Sequence, residues 1–166
     1  MKTVFAVAVL IFAGLLQVTV GSNLGNLWPN LSIILLVVLA VLLPLDSLLI
    51  PAILAGVLAD YYSGSDFGLH MVYYLLVVLI SKLVFKLGEK EPSVIVMILL
   101  AGGFSLLYGF IRVVGTQQFL LVSGWTSIAL ILLGRTVVAG ALTWLLLPAI
   151  KFLYQLLGRW SHFYAR

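Results

Sequence analysis

Long apolar runs alternate with short clusters of glycine, proline and polar residues along the whole chain. The runs predict six helices, about Thr3 to Val20, Leu31 to Leu43, Leu48 to Tyr62, Gly68 to Leu87, Ser93 to Val114 and Trp125 to Leu147. The breaks carry turn chemistry. Gly21 to Asn30 is uncharged, rich in turn formers, and contains Trp28, a residue suited to the headgroup belt. Pro44, Asp46 and Ser47 form a tight break, with Asp46 or Ser47 placed to cap the next helix. Pro51 falls in the first turn of that helix, where proline is tolerated. Gly88 to Pro92 is the one dense charged block, and Gly115 to Gly124 is a longer connection with a short apolar insert. Pro148 is expected to end the last long helix before a tail, Lys151 to Arg166.

The second and third segments are shorter than the roughly 20 residues a full crossing needs. Read as one kinked span they would give five crossings. The strength of the Pro44–Ser47 break favours two. Basic residues support that choice. With six spans and an N-terminus in the cytoplasm, seven of the nine basic residues (Lys2, Lys82, Lys86, Lys90, Lys151, Arg159 and Arg166) lie inside or near the inner boundary. A five-span chain puts Lys82, Lys86 and Lys90 on the side opposite Lys2. The expected architecture is therefore an all-α membrane protein, with a six-helix transmembrane domain over residues 1–150 and a cytoplasmic tail over 151–166. Both ends are expected in the cytoplasm. Met1-Lys2 and the following apolar run resemble a secretory signal, but the segment is read as a retained first helix.

Composition excludes the main alternatives. The 166 residues are 64% hydrophobic and only 8% charged, against roughly 25% charged in soluble domains. So few charges cannot cover a water-facing surface. A membrane barrel would show short alternating segments rather than these unbroken runs. Without cysteine there is no disulfide, thiol nucleophile or thiolate metal site. The net charge of +4 is assigned to topology, not to nucleic-acid binding.

Against this apolar background a few residues stand out. Gly56, Asp60, Gly64 and Gly68 recur every four residues. While the segment is helical they share one face, where small residues permit close helix packing. Asp60 falls near the outer end of the third helix, and Arg112 near the outer end of the fifth. Arg135 lies about ten residues into the sixth, or ~15 Å deep. An intramembrane charge is costly and needs a partner or a polar cavity. Asp60 or Asp66 is the nearest partner by depth for Arg135, with Asp60 expected to pair with Arg135 or with Arg112; a pocket for an anionic or zwitterionic ligand and contact with a partner protein are the competing readings. His70 and His162 have no second ligand at metal spacing, so no metal site is expected. No cofactor motif and no catalytic constellation appears, and the chain reads as non-catalytic. The tail alternates apolar positions with Lys151, Arg159 and Arg166, with Trp160 among the former. It suits an amphipathic helix at the inner interface.

Trp28-Pro29-Asn30-Leu31, a short apolar helix, then Gly56-x-x-x-Asp60-x-x-Ser63-Gly64-x-x-x-Gly68-Leu69 and Tyr73-Tyr74 resemble MreD, the bacterial rod shape-determining membrane protein family. Length, spans and the basic end are similar too. Asn30 departs from the family, which often carries an acid there. The resemblance implies a non-catalytic scaffold in the inner membrane. Its implied partners are MreC, the actin-like MreB, RodA and a penicillin-binding transpeptidase, which together direct lateral peptidoglycan synthesis. It also implies a likeness to the six-helix substrate-binding subunits of energy-coupling-factor vitamin transporters, and that is the rival function. Such a subunit would collect groups such as Tyr61, Tyr62, Tyr73, Tyr74 and Arg112 around an outward pocket. The Ala-x-x-x-Ala docking spacing of those subunits is absent among Ala6, Ala8 and Ala13.

Overall fold

In a computed structural model, which describes residues 2–19, 29–63, 68–87, 93–115 and 125–163, the chain forms six helices. They are α1 (Lys2–Thr19), α2 (Leu31–Leu42), α3 (Asp46–Ser63), α4 (Leu69–Leu87), α5 (Val94–Gly115) and α6 (Trp125–Phe163). Four of them, α1, α4, α5 and α6, are long and apolar enough to cross a membrane. Together with the all-helical architecture this is the character of an integral membrane protein. Trp28, Gly64, Asp66 and Arg166 lie outside the described residues.

α2 is the centre of the bundle. Its ten residues from Leu31 to Ala40 are all buried, and it packs against α1, α4, α5 and α6. The outward faces of those helices carry exposed large apolar side chains such as Phe12 on α1, Leu99 on α5 and Val137 on α6. A helix that is apolar all round belongs in the core. Here α2 occupies that place while its neighbours present leucine, valine and phenylalanine outward, as a lipid solvent requires.

At 12 residues α2 is about 18 Å long, well short of the ~30 Å hydrocarbon layer. Both its ends are therefore answered by protein groups. The first four amides of a helix have no partner within the helix. Leu31 N–H donates to Gln17 Oε1 of α1 at 3.1 Å, and Ser32 N–H to Asn30 Oδ1 at 3.0 Å. Ile33 and Ile34 donate to the Asn30 carbonyl at 3.2 and 3.4 Å. Asn30 is thus the N-cap, and its amide and the Tyr74 hydroxyl of α4 are also in contact, at 2.8 Å. At the other end the Lys82 ammonium of α4 donates to the Leu43 carbonyl. A cation there also suits the negative end of the helix dipole.

The expected helices are present with ends shifted by a residue or two, except at the end of α6. α3 begins at Asp46, so Asp46 and Ser47 lie inside the helix rather than capping it, and Pro51 falls past its first turn. α6 does not stop at Pro148. It continues to Phe163 as one helix of 39 residues, ~58 Å by its rise and longer than any hydrocarbon layer. Proline removes one helical donor and crowds the preceding turn, a cost that does not break the helix here. The tail is therefore continuous with α6 in backbone, and no break marks the expected boundary at residues 150 and 151. Lys151 is exposed on this stretch.

One prediction follows from the capping of α2. Asn30→Leu removes the N-cap acceptor and the partner of the buried Tyr74 hydroxyl. It should cost about 2 kcal/mol or more in unfolding free energy, measured by denaturant titration in mixed micelles. An unchanged midpoint would remove the cap from the account of stability.

Candidate functional site

Asp60 is 3% exposed, so its carboxylate must find acceptor roles inside the protein. Geometry shows where they are. Oδ2 accepts the Gly68 N–H at 2.8 Å and, more weakly, the Met71 N–H at 3.4 Å. Oδ1 accepts the His70 N–H at 2.8 Å and lies 2.7 Å from His70 Nδ1. These amides belong to the exposed donors at the start of α4. A helix usually supplies its own cap from the residue just before its first turn. Here that residue is Gly68, which has no side chain and a φ of +101°. The left-handed backbone favours glycine, and the missing cap is delivered from α3 by Asp60, eight residues earlier. The helix dipole adds attraction for the negative group.

The same face of α3 explains Gly56. A Cβ placed there would stand 2.3 Å from Met71 Cα and 2.7 Å from its nitrogen. α3 and α4 touch backbone to backbone at this point, so only glycine fits. Gly56 sets the approach, and Asp60, one turn later, fastens the ends. The expectation of an Asp60 pair with Arg135 or Arg112 is thus corrected. Both oxygens of the carboxylate are taken by α4 amides and the imidazole. Asp60–His70 is the ion-pair geometry of this site among the described residues.

His70 carries the connection onward. Its Nε2 is 2.6 Å from the Tyr108 hydroxyl of α5. An ionised Asp60 accepts only, so the proton between the two belongs to Nδ1. Nε2 of the neutral ring then accepts from the Tyr108 O–H. A chain Asp60–His70–Tyr108 joins α3, α4 and α5. A second link runs beside it, from the Tyr73 hydroxyl to the Phe104 carbonyl at 2.5 Å. His70, 2% exposed, is a functional residue that metal-ligand spacing did not single out. The signal for it was its position at the second residue of a helix whose cap is a glycine. Tyr108 carried no comparable signal.

Beyond this chain lies a cavity of about 710 Å³. It opens among the C-terminal ends of α1, α3 and α5 and the N-terminal ends of α2, α4 and α6. One wall is polar, made by His70, Tyr74, Tyr108, Arg112 and Arg135. The α1 and α3 lining is mostly apolar, with Leu10, Ile11 and Leu15 of α1 and Ala55, Leu58 and Ala59 of α3, but Gln17 and Ser63 also belong to it. Arg135 reaches the polar wall across Gly109. A Cβ on that glycine would meet Arg135 Nη1 at 3.3 Å and Leu132 at 2.6 Å. The guanidinium therefore lies beside α5 one helical turn before the position of Arg112. The structure thus brings together Asn30, Arg112 and Arg135 of the expected residues around one space. Tyr62 and Tyr74 line it as well, whereas Tyr61 is 79% exposed. Lys151 and Arg159 fall on the far half of α6, beyond Pro148. Trp160 is on the same stretch of helix.

Two outcomes check this geometry. Asp60→Ala leaves a buried imidazole and the start of α4 without their acceptor and should cost about 3 kcal/mol or more, read by denaturant titration in micelles. A double-mutant cycle should also show coupling of about 0.5–3 kcal/mol between Asp60→Asn and His70→Ala, and near zero between Asp60→Asn and Arg135→Leu. Strong coupling in the second cycle would restore the arginine pairing.

Comparison with known proteins leaves the site to stand on its own geometry: no family model, no curated protein and no solved structure matches the chain.

Proposed function

We propose that this protein is a non-catalytic scaffold of the inner membrane, of the MreD type. It would cross the membrane six times with both ends in the cytoplasm, and bind the single membrane span of an MreC-type partner. The observation that carries the reading is where the Gly56–Gly68 motif places its polar groups. They join helices to one another, through the Asp60 cap on α4 and the close contact at Gly56. A motif used in this way fixes the relative placement of helices, which is what a scaffold presents to its partners.

The location also changes how Asp60 serves assembly. Being buried, it acts through the fold rather than by touching the partner. The partner-binding surface assigned here is the outward row of α3, with Ile50, Leu54 and Tyr61 exposed along it. α3 is not among the helices apolar enough to cross alone, and a neighbouring span laid along it would supply the missing apolar cover. MreB, RodA and a penicillin-binding transpeptidase follow as further members of the assembly, with the basic end of α6 on the cytoplasmic side.

The vitamin-transporter reading keeps one observation in its favour, the cavity with its tyrosines and Arg112. Co-purification separates the two. The tagged chain should recover an MreC-type protein from membranes, and Tyr61→Ala should reduce that recovery several-fold at an unchanged unfolding midpoint. Asp60→Ala should reduce it only as far as it reduces folded protein. Recovery of ATPase subunits together with a bound vitamin would overturn the scaffold reading.

A further inference from the structure

His70 stands where three helices meet and where the cavity reaches them. Its Nδ1 is bonded to Asp60 of α3, and its Nε2 accepts from the Tyr108 hydroxyl of α5. His70 and Tyr108 both line the cavity, whereas Asp60 is not among the lining residues. The chain of three is thus closed at its acid and open at its phenol, and protons reach the ring from the cavity.

Imidazole is the side chain whose ordinary titration falls near neutral pH. A second proton on this ring goes to Nε2, because Nδ1 already holds one. The two ends of the ring then respond differently. Toward Asp60 nothing has to rearrange. Nδ1–H still donates, and a neutral donor becomes a charged one, which strengthens the bond. Toward Tyr108 the contact changes from donor against acceptor to donor against donor, at 2.6 Å. The phenol has to turn its O–H away, and the cavity is the open space beside it.

The charges around the ring act in the same direction. Among the described residues, the charged and titratable groups there are Asp60 on α3, Tyr74 on its own helix, Tyr108 and Arg112 on α5, and Arg135 on α6. α1 and α2 bring uncharged polar groups to the cavity, Gln17, Asn30 and Ser32. A cation on the ring is attracted by Asp60 and repelled by Arg112, which stands one turn beyond Tyr108. One turn further in, the Tyr73 hydroxyl donates to the Phe104 carbonyl. That bond involves no titrating nitrogen, so α4 and α5 stay fastened there and part at the cavity end alone.

We propose that His70 is a proton-operated joint between the α3–α4 hairpin and α5. Neutral, it ties the two together. Protonated, it keeps Asp60 and releases Tyr108, and the polar wall of the cavity opens between α4 and α5. The joint lies apart from the exposed row of α3, so it stands or falls separately from the scaffold reading.

The test uses the full chain in nanodiscs of phosphatidylcholine, at about pH 8 and about pH 5, on either side of an ordinary imidazole titration. The chain has no cysteine and two histidines, so labels and ring signals are both specific. Spin labels go on outward positions. Val72→Cys with Phe110→Cys reports α4 against α5, and Leu58→Cys with Val72→Cys reports α3 against α4. At the lower pH the first distance should lengthen or broaden, and the second should stay. Ring-nitrogen NMR of a His162→Gln chain should show a proton on Nδ1 alone at the higher pH and on both nitrogens at the lower. His70→Gln should abolish the response of the first distance to pH, and Tyr108→Phe should show the released distance at both values. Where either variant reduces folding, the distances and ring spectra of the otherwise unchanged chain decide. A proton on Nε2 at the higher pH would overturn the assigned bonds. A ring still neutral at the lower pH would overturn the switch. An α4–α5 distance that stays fixed while the ring takes its second proton would overturn the release, and equal changes in both distances would overturn the joint.

Discussion

Inside a bilayer a backbone amide has no water to turn to, and that constraint organises this protein. Every helix that ends within the membrane's depth must have its terminal donors and acceptors met by another part of the chain. α2 ends at both sides inside the bundle. Gln17, Asn30 and Lys82 meet those ends from α1, from the residue just before α2, and from α4. α4 begins with a glycine that cannot cap, and Asp60 of α3 does so. The polar side chains of an otherwise greasy sequence are thus largely the price of using short helices in a medium that offers no hydrogen bonds.

The same residues make the bundle specific. Apolar side chains in lipid gain little by meeting one another, since lipid tails are as apolar as leucine. Close backbone approach and directional hydrogen bonds have to choose the partners. Gly56 and Asp60 choose α4 for α3. His70 and Tyr73 choose α5 for α4. Tyr74 ties α4 to the head of α2. Between α5 and α6 the choice falls to small residues, with Gly102 against Thr136 and Gly140 against Ile98. The polar joints cluster toward one end of the bundle, and the cavity with the two arginines lies at that end.

Hydropathy alone carries most of the helix pattern, because apolar runs and glycine–proline breaks reflect the solvent directly. It fails at Pro148, where the helix runs on through a proline that marks an end in the sequence. The Gly56–Gly68 stretch is legible as a special place, since an acid and spaced glycines are rare in such a chain. Its chemistry is less so. Counting charges directs Asp60 to an arginine. The nearer solution, a backbone start eight residues later, has no formal charge and leaves no mark in a charge count. Metal-ligand spacing does not single out His70, whose partners are a carboxylate ten residues earlier and a hydroxyl on α5. Tyr108 and Tyr74 sit in apolar runs where an aromatic ring reads as packing, and their hydroxyl partners are 38 and 44 residues away.

Those separations rank the joints by the chain entropy needed to close them. The cap from Asp60 to Gly68 closes a loop of eight residues, and its bond to His70 one of ten. The links from His70 to Tyr108 and from Asn30 to Tyr74 span several times as much chain. Closure cost grows with the logarithm of loop length, and local contacts form fastest. The α3–α4 hairpin is then the first unit that can exist on its own, with the oxygens of its carboxylate already met by hydrogen bonds. A carboxylate that would be costly to carry into lipid on a single helix enters as part of a preassembled pair. The order in which this membrane protein is built is set by the same short span that joins two of its helices.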